Sequence, residues 1–177
     1  MREKVGYPYD HFPSMAFWVF RGGLAGWASI CGAIPPAVSV MSLMLPRDRF
    51  MDLSDELMAW YQQFPFPEYQ PPGRDLVQVP VNSSLCHVSV TKWMQAAGVN
   101  DRGAPERGDR CGGLSADVAK FTAQMLNEEF EVGYARQYSP AAVVDECLHC
   151  HQDAPYPTLG KEDCLECHTD VHEDWDI

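Results

Sequence analysis

A mainly α-helical fold is predicted for this 177-residue chain, with a helical body over residues 1–139 and a loop-rich segment over 140–177. Three observations predict it. Apolar residues recur at helical spacing in 52–64 and again in 114–131. No alternating apolar runs flank a tight turn, so no β-hairpin signal competes with them. Two Cys-x-x-Cys-His boxes, Cys147–His151 and Cys164–His168, crowd the C-terminal segment, where few large apolar side chains remain to build a core.

Taken in order, the stretch from Met15 to Leu45 is strongly apolar. Arg21, Gly22-Gly23 and Pro35-Pro36 cut it into pieces shorter than the roughly 20 residues a bilayer requires. Two buried helices joined at Pro35-Pro36 are expected instead. Asp52–Phe64 follows as an amphipathic helix whose inner face is Leu53, Leu57, Trp60, Tyr61 and Phe64. The prolines at 65, 67, 71 and 72 then impose an extended connection. A helix from Ser84 to Ala97 is expected, capped by Ser83 or Ser84 and closed by Gly98. Asn100–Gly113 reads as a polar loop. Leu114–Glu131 is the clearest helix, with Leu114, Val118, Phe121, Met125 and Leu126 on one face and Gly133 ending it. Ser139-Pro140 reads as N-cap and first residue of a last helix that enters the first box.

Composition narrows the function. With 46% hydrophobic residues the chain is globular rather than disordered. From Asp145 onward ten acids face one base, Lys161, so nine of the twelve net negative charges sit in the C-terminal segment. Nucleic acid is a poor partner for such a surface. A redox partner presenting a basic docking patch suits it, because opposite potentials steer a transient encounter.

The boxes carry the chemistry. In c-type haem attachment two thiols add across the two porphyrin vinyl groups, and the next residue sets an imidazole under the iron. Cys147, Cys150, Cys164 and Cys167 thus read as thioether attachment points for two haem c groups, with His151 and His168 as proximal ligands. The alternative is a four-thiolate zinc site, which the spacing allows but which leaves both trailing histidines idle. A thioredoxin-like use is disfavoured, since no βαβ pattern surrounds either box. All eight methionines lie at or before Met125, so distal ligands are sought among histidines. His149 and His172 are the candidates, each serving the other haem or a haem of a second subunit, with His87 and His11 as long-range alternatives. Bis-imidazole irons are low-spin and lack an open substrate position, which favours an electron carrier over the rival reading of a small c-type haem reductase.

Three cysteines remain: Cys31, Cys86 and Cys111. Being odd in number they cannot form a complete set of disulfides. Cys86 and Cys111 lie near expected helix N-termini, where thiolates are stabilised, and Gly32 beside Cys31 and Gly112 beside Cys111 permit close backbone approach to a cluster sulfur. Buried cysteines acting as small hydrophobes are the plain alternative. Haem c attachment takes place outside the bacterial cytoplasmic membrane, so a periplasmic location is expected, although Met1-Arg2-Glu3-Lys4 is not followed by an export signal.

Gly22-Gly23, Cys31-Gly32-Ala33, Cys86 and Cys111-Gly112 before a long helix together resemble the redox-active family named for its Cys/Gly-Cys-Ala-x-x-Gly/Cys/Cys pattern. Joined to two C-terminal haem boxes, that body resembles the split-Soret cytochrome c family. The resemblance covers nearly the whole chain from about Phe12. It implies a helical homodimer with two bis-histidine c haems per subunit and an iron-sulfur centre, read here as a [2Fe-2S] cluster, held by Cys31, Cys86 and Cys111. Two departures stand out. Ile30-Cys31-Gly32-Ala33-Ile34-Pro35 replaces Gly-Cys-Ala-x-x-Gly, and the family's earliest cysteine has no counterpart. His87 or an exogenous group is then the candidate fourth ligand.

Overall fold

The computed structural model describes residues 2–7, 9–153 and 157–168. Six α-helices are present among them: α1 (Arg2–Val5), α2 (Ile34–Met44), α3 (Arg47–Gln63), α4 (Cys86–Ala97), α5 (Pro105–Glu131) and α6 (Ala142–His151). Short 3-10 turns cover Tyr9–His11, Ser14–Phe20 and Cys164–Glu166. Among the described residues strand pairing is confined to two isolated bridges, Ile30 with Leu85 and Phe66 with Val79. The expected mainly helical class is what the chain adopts.

The core lies between α2, α3 and α5. Ile34 and Met41 from α2, Leu53, Leu57 and Tyr61 from α3, and Leu114, Val118 and Met125 from α5 are essentially sealed from solvent. These are the apolar stripes that helical periodicity marks. Trp60 lies flat on Phe121, with ring centroids 4.1 Å apart and planes 14° from parallel, so a stacked aromatic pair locks α3 to α5. Burying side chains of this size contributes about 1.5–3 kcal/mol each.

Three expectations are corrected. Pro35-Pro36 does not join two helices. It occupies the first turn of α2, where a missing N–H removes nothing from the helical ladder. The apolar run before it forms a 3-10 turn and then irregular coil, because Leu24, Ala25 and Ala28 join several glycines at positive φ. The loop expected at Asn100–Gly113 is in large part helix: α5 starts at Pro105 and runs 27 residues, about 40 Å. Gly113 is a packing position inside that helix, since a Cβ there would meet the Tyr69 carbonyl oxygen at 2.5 Å. The remaining boundaries shift modestly. α3 begins at Arg47, α4 begins at Cys86 rather than Ser84, and α6 begins at Ala142, two residues beyond Pro140. No helix among the described residues is long and apolar enough to cross a membrane.

Buried carboxylates fix the connections that lead to the boxes. Glu56 of α3, fully buried, accepts hydrogen bonds from the Tyr134 hydroxyl at 2.9 Å and from the amides of Gln137 and Tyr138 at 3.1 and 3.0 Å. It anchors the coil between α5 and α6. Asp117 of α5 likewise accepts from the amides of Glu68 and Tyr69 at 2.8 and 2.9 Å. An unpaired backbone amide in the interior is costly, and each carboxylate satisfies two.

Candidate functional site

Cys31 sits on the coil entering α2, Cys86 is the first residue of α4, and Cys111 lies in the second turn of α5. All three line one open cleft of about 1230 Å³, together with His87. The backbone makes this meeting possible. Cys31 N–H donates to the Ser84 carbonyl at 2.8 Å, and Cys86 and His87 donate to the carbonyls of Ser29 and Ala28 at 2.5 and 3.2 Å. The coil before α2 is thereby stitched to the segment before α4. Gly23 and Gly32 are obligatory there: a Cβ on Gly23 would meet that of Cys86 at 2.8 Å, and one on Gly32 would meet the Phe20 carbonyl oxygen at 2.3 Å.

Burial pushes the Cys31 thiol up, opposed by a hydrogen bond with Tyr61 and by the positive charge of Arg110. Cys86 is likewise raised by burial and then by the charges of Cys31 and Cys111, with Arg107 and Arg110 opposing. Each thiol therefore senses its neighbours. Even so, no group of three or more His, Cys, Asp or Glu among the described residues is gathered tightly enough to hold one metal ion. Three thiols spread around a cleft suit a centre of several atoms better than a single ion.

Behind the thiols lies a buried polar chain. Tyr61 hydroxyl and Ser89 hydroxyl are 3.0 Å apart, and Arg110 Nη2 donates to Ser89 Oγ at 2.8 Å. Arg110 is only 1% exposed, has no carboxylate partner among the described residues, and leaves its Nε without a hydrogen-bond partner. A buried cation without a counter-charge is expensive. Composition hides Tyr61, Ser89 and Arg110 among core positions; the only sequence signal was Arg110 standing beside Cys111.

The boxes form a second constellation. Cys147, Leu148, His149, Cys150 and His151 all lie on α6, which sets the two thiols three residues apart on the same side of the helix. The second box occupies the 3-10 turn at Cys164–Glu166 and the residues after it. The two meet: the Cys164 thiol is raised by burial and then by contact with the Cys147 thiol. Cys150, Cys167, His149, His151 and His168 all face solvent. His172 lies outside the described residues. His87 belongs to the cysteine cleft, where its Nδ1 is 3.3 Å from the Ala28 carbonyl oxygen. His11 is exposed and pairs with Asp10 at 3.7 Å.

The second box is docked onto the segment that carries Cys86. Glu162 accepts from the Ser84 amide at 3.0 Å and from its hydroxyl. Glu166 pairs with Lys92 of α4 and accepts from Asn82 at 3.1 Å, while Lys161 pairs with Asp55 of α3 at 2.6 Å.

A protein-family model described as "Putative redox-active protein (C_GCAxxG_C_C)" matches residues 1–125, a span that holds all three cleft cysteines. The chain belongs to the C_GCAxxG_C_C family. Within reach of this C_GCAxxG_C_C chain is the split-Soret cytochrome c of Desulfovibrio desulfuricans, 32% identical over 159 residues. That alignment covers 85% of this chain but only 57% of the relative. A solved structure, described as "A novel iron centre in the split-Soret cytochrome c from Desulfovibrio desulfuricans ATCC 27774", superposes with a TM-score of 0.88 at 32% identity. It covers 97% of this chain and 75% of that one. The likeness thus extends past the family segment into the region of the boxes.

Proposed function

We propose that this C_GCAxxG_C_C protein is a periplasmic electron carrier with two c haems on its C-terminal boxes and an iron-sulfur centre in the three-cysteine cleft. One observation carries the reading: Glu162, two residues before the second box, is bonded to Ser84, which also receives the Cys31 amide. Two redox-capable cysteine sets therefore meet at a single residue.

The residues present fit both groups. Each box offers two thiols three residues apart and an adjacent imidazole, and both imidazoles lie on exposed residues. The cleft offers three thiols and a buried guanidinium whose charge is otherwise uncompensated. His87 stands in the same cleft as a further donor. Bound there, such groups would supply one-electron chemistry. The chain's part is to hold them, exclude water from one side and set their charge environment. Homodimerisation belongs to the proposal, supported by Met15, Trp18 and Trp27, which are 72%, 68% and 84% exposed. So does an acid-seeking redox partner, supported by the charge of the C-terminal segment.

The test is quantitative analysis of protein made without air in a host that matures c haem. Denatured protein heavier than its polypeptide by two haems, with iron exceeding haem and acid-labile sulfide matching the excess, is expected. An iron-to-haem ratio of one removes the cluster. A single haem removes one box.

A further inference from the structure

The charge lining the cysteine cleft runs against the rest of the molecule. The chain carries 25 acids against 13 Lys and Arg. Yet Arg21, Arg102, Arg107 and Arg110 all line this one cleft, and no Asp or Glu among the described residues does. Elsewhere Arg49, Arg74, Lys92, Lys120 and Lys161 each pair with a carboxylate. The four cleft arginines have no carboxylate partner among the described residues. Arg107 Nη1 instead donates to the Arg102 carbonyl at 3.3 Å, which draws two of them together. Arg110 is sealed from solvent, and its Nε lacks a partner.

From this arrangement we infer that the cleft binds a small oxyanion beside the three cysteines, held by the guanidinium of Arg107 with those of Arg102 and Arg21, while the buried charge of Arg110 behind the wall adds to the attraction. Guanidinium is the group for this task. Its planar fork matches the oxygens of carboxylate, phosphate or sulfate, and it remains charged at every accessible pH. Three such forks on one cavity, with a fourth positive charge buried behind them, attract an anion strongly when the walls are partly apolar, as Phe17, Phe20 and Leu114 make them. The remaining net charge is negative and repels anions at long range. Uptake is therefore local to the cleft and selective for molecules small enough to enter it. The site goes beyond the proposed electron-carrier role and does not require it, because the guanidiniums belong to the chain whether or not metal is bound.

The experiment is calorimetric titration of the full-length holoprotein with sodium sulfate and with inorganic phosphate, against sodium chloride as control. Iron and sulfide are measured on the same sample. Saturable binding of sulfate or phosphate is expected, weakened about tenfold in Arg107→Gln. Arg107 is half-buried and makes no ion pair, so its replacement leaves the fold intact. Arg47→Gln, which removes an exposed arginine of α3 that does not line the cleft, should bind like the parent. Iron present without saturable oxyanion binding overturns the inference and leaves the redox proposal standing. Oxyanion binding lost in Arg107→Gln but with no excess iron sustains the inference and removes the cluster. Binding unchanged in Arg107→Gln and in an Arg102→Gln, Arg107→Gln double variant overturns the site.

Discussion

Ser84 and Glu162, 78 residues apart, are joined by three hydrogen bonds: the Ser84 amide reaches both carboxylate oxygens at 3.0 and 3.1 Å, and its hydroxyl reaches one of them. The Ser84 carbonyl meanwhile holds the Cys31 amide. One residue thus ties the second box to the cysteine cleft. Charge-assisted bonds to partly buried donors are worth about 1.5–3 kcal/mol. In Glu162→Ala, amide exchange at residues 164–168 is expected to accelerate while the helical core keeps its protection. Mass-spectrometric hydrogen exchange reads this, and equal rates in parent and variant would refute the docking role.

Arg49 and Glu129 link the start of α3 to the end of α5 through two bonds of 2.7 and 2.5 Å. The Arg49 contact, followed by a hydrogen bond from the Tyr134 amide, lowers the Glu129 carboxyl from 4.5 to about 2. A depressed acid stabilises the fold above its unfolded value and loses that effect as pH falls toward its folded one. The pair therefore contributes fully above about pH 5 and fades between pH 4.5 and 2, by on the order of 2 kcal/mol after allowance for the partly exposed guanidinium. Denaturant titrations of Glu129→Gln should show a deficit at pH 7 that shrinks toward pH 2. A deficit independent of pH would exclude the ion pair as its cause.

Cys150→Ala and Cys167→Ala should each weaken retention of one haem, read by mass under denaturing conditions. His149→Ala or His172→Ala should open one iron to carbon monoxide if either imidazole is a distal ligand. Unchanged low-spin spectra in both would move that role to His87 or His11.

Tyr61→Phe removes the hydroxyl that meets both Cys31 and Ser89 while preserving a fully buried ring. Hydrogen bonds to cluster sulfur raise reduction potential by stabilising the more negative state. The potential of the proposed iron-sulfur centre should therefore fall, with the haem potentials unmoved. A potential equal to the parent's would detach Tyr61 from that centre.

Sedimentation should show a homodimer that tightens with salt, because two acidic C-terminal segments repel and screening weakens the repulsion. A monomer at moderate salt with both haems six-coordinate would exclude ligation across a subunit interface.

Much of this protein is local and so is legible in its sequence. The stripes on α3 and α5 follow from helical period alone, which is why Leu53, Leu57, Leu114 and Val118 emerge as core without any structure. The boxes are equally local, since their chemistry needs only spacing. Failures arise where distant parts decide. Gly108, Gly112 and Gly113 suggest a loop, yet α5 runs through them, with Gly113 accommodating the chain at Tyr69; tertiary packing outweighs helix propensity there. The family pattern groups Cys31, Cys86 and Cys111, but the backbone bonds between 28–31 and 84–87 that bring the first two together have no local signature. Sequence by itself determined the apolar stripes of α3 and α5, the two Cys-x-x-Cys-His boxes and the inventory of thiols. Tertiary structure decided that four guanidiniums with no carboxylate partner among the described residues gather beside the three thiols, because burial and charge compensation are set by neighbours remote along the chain.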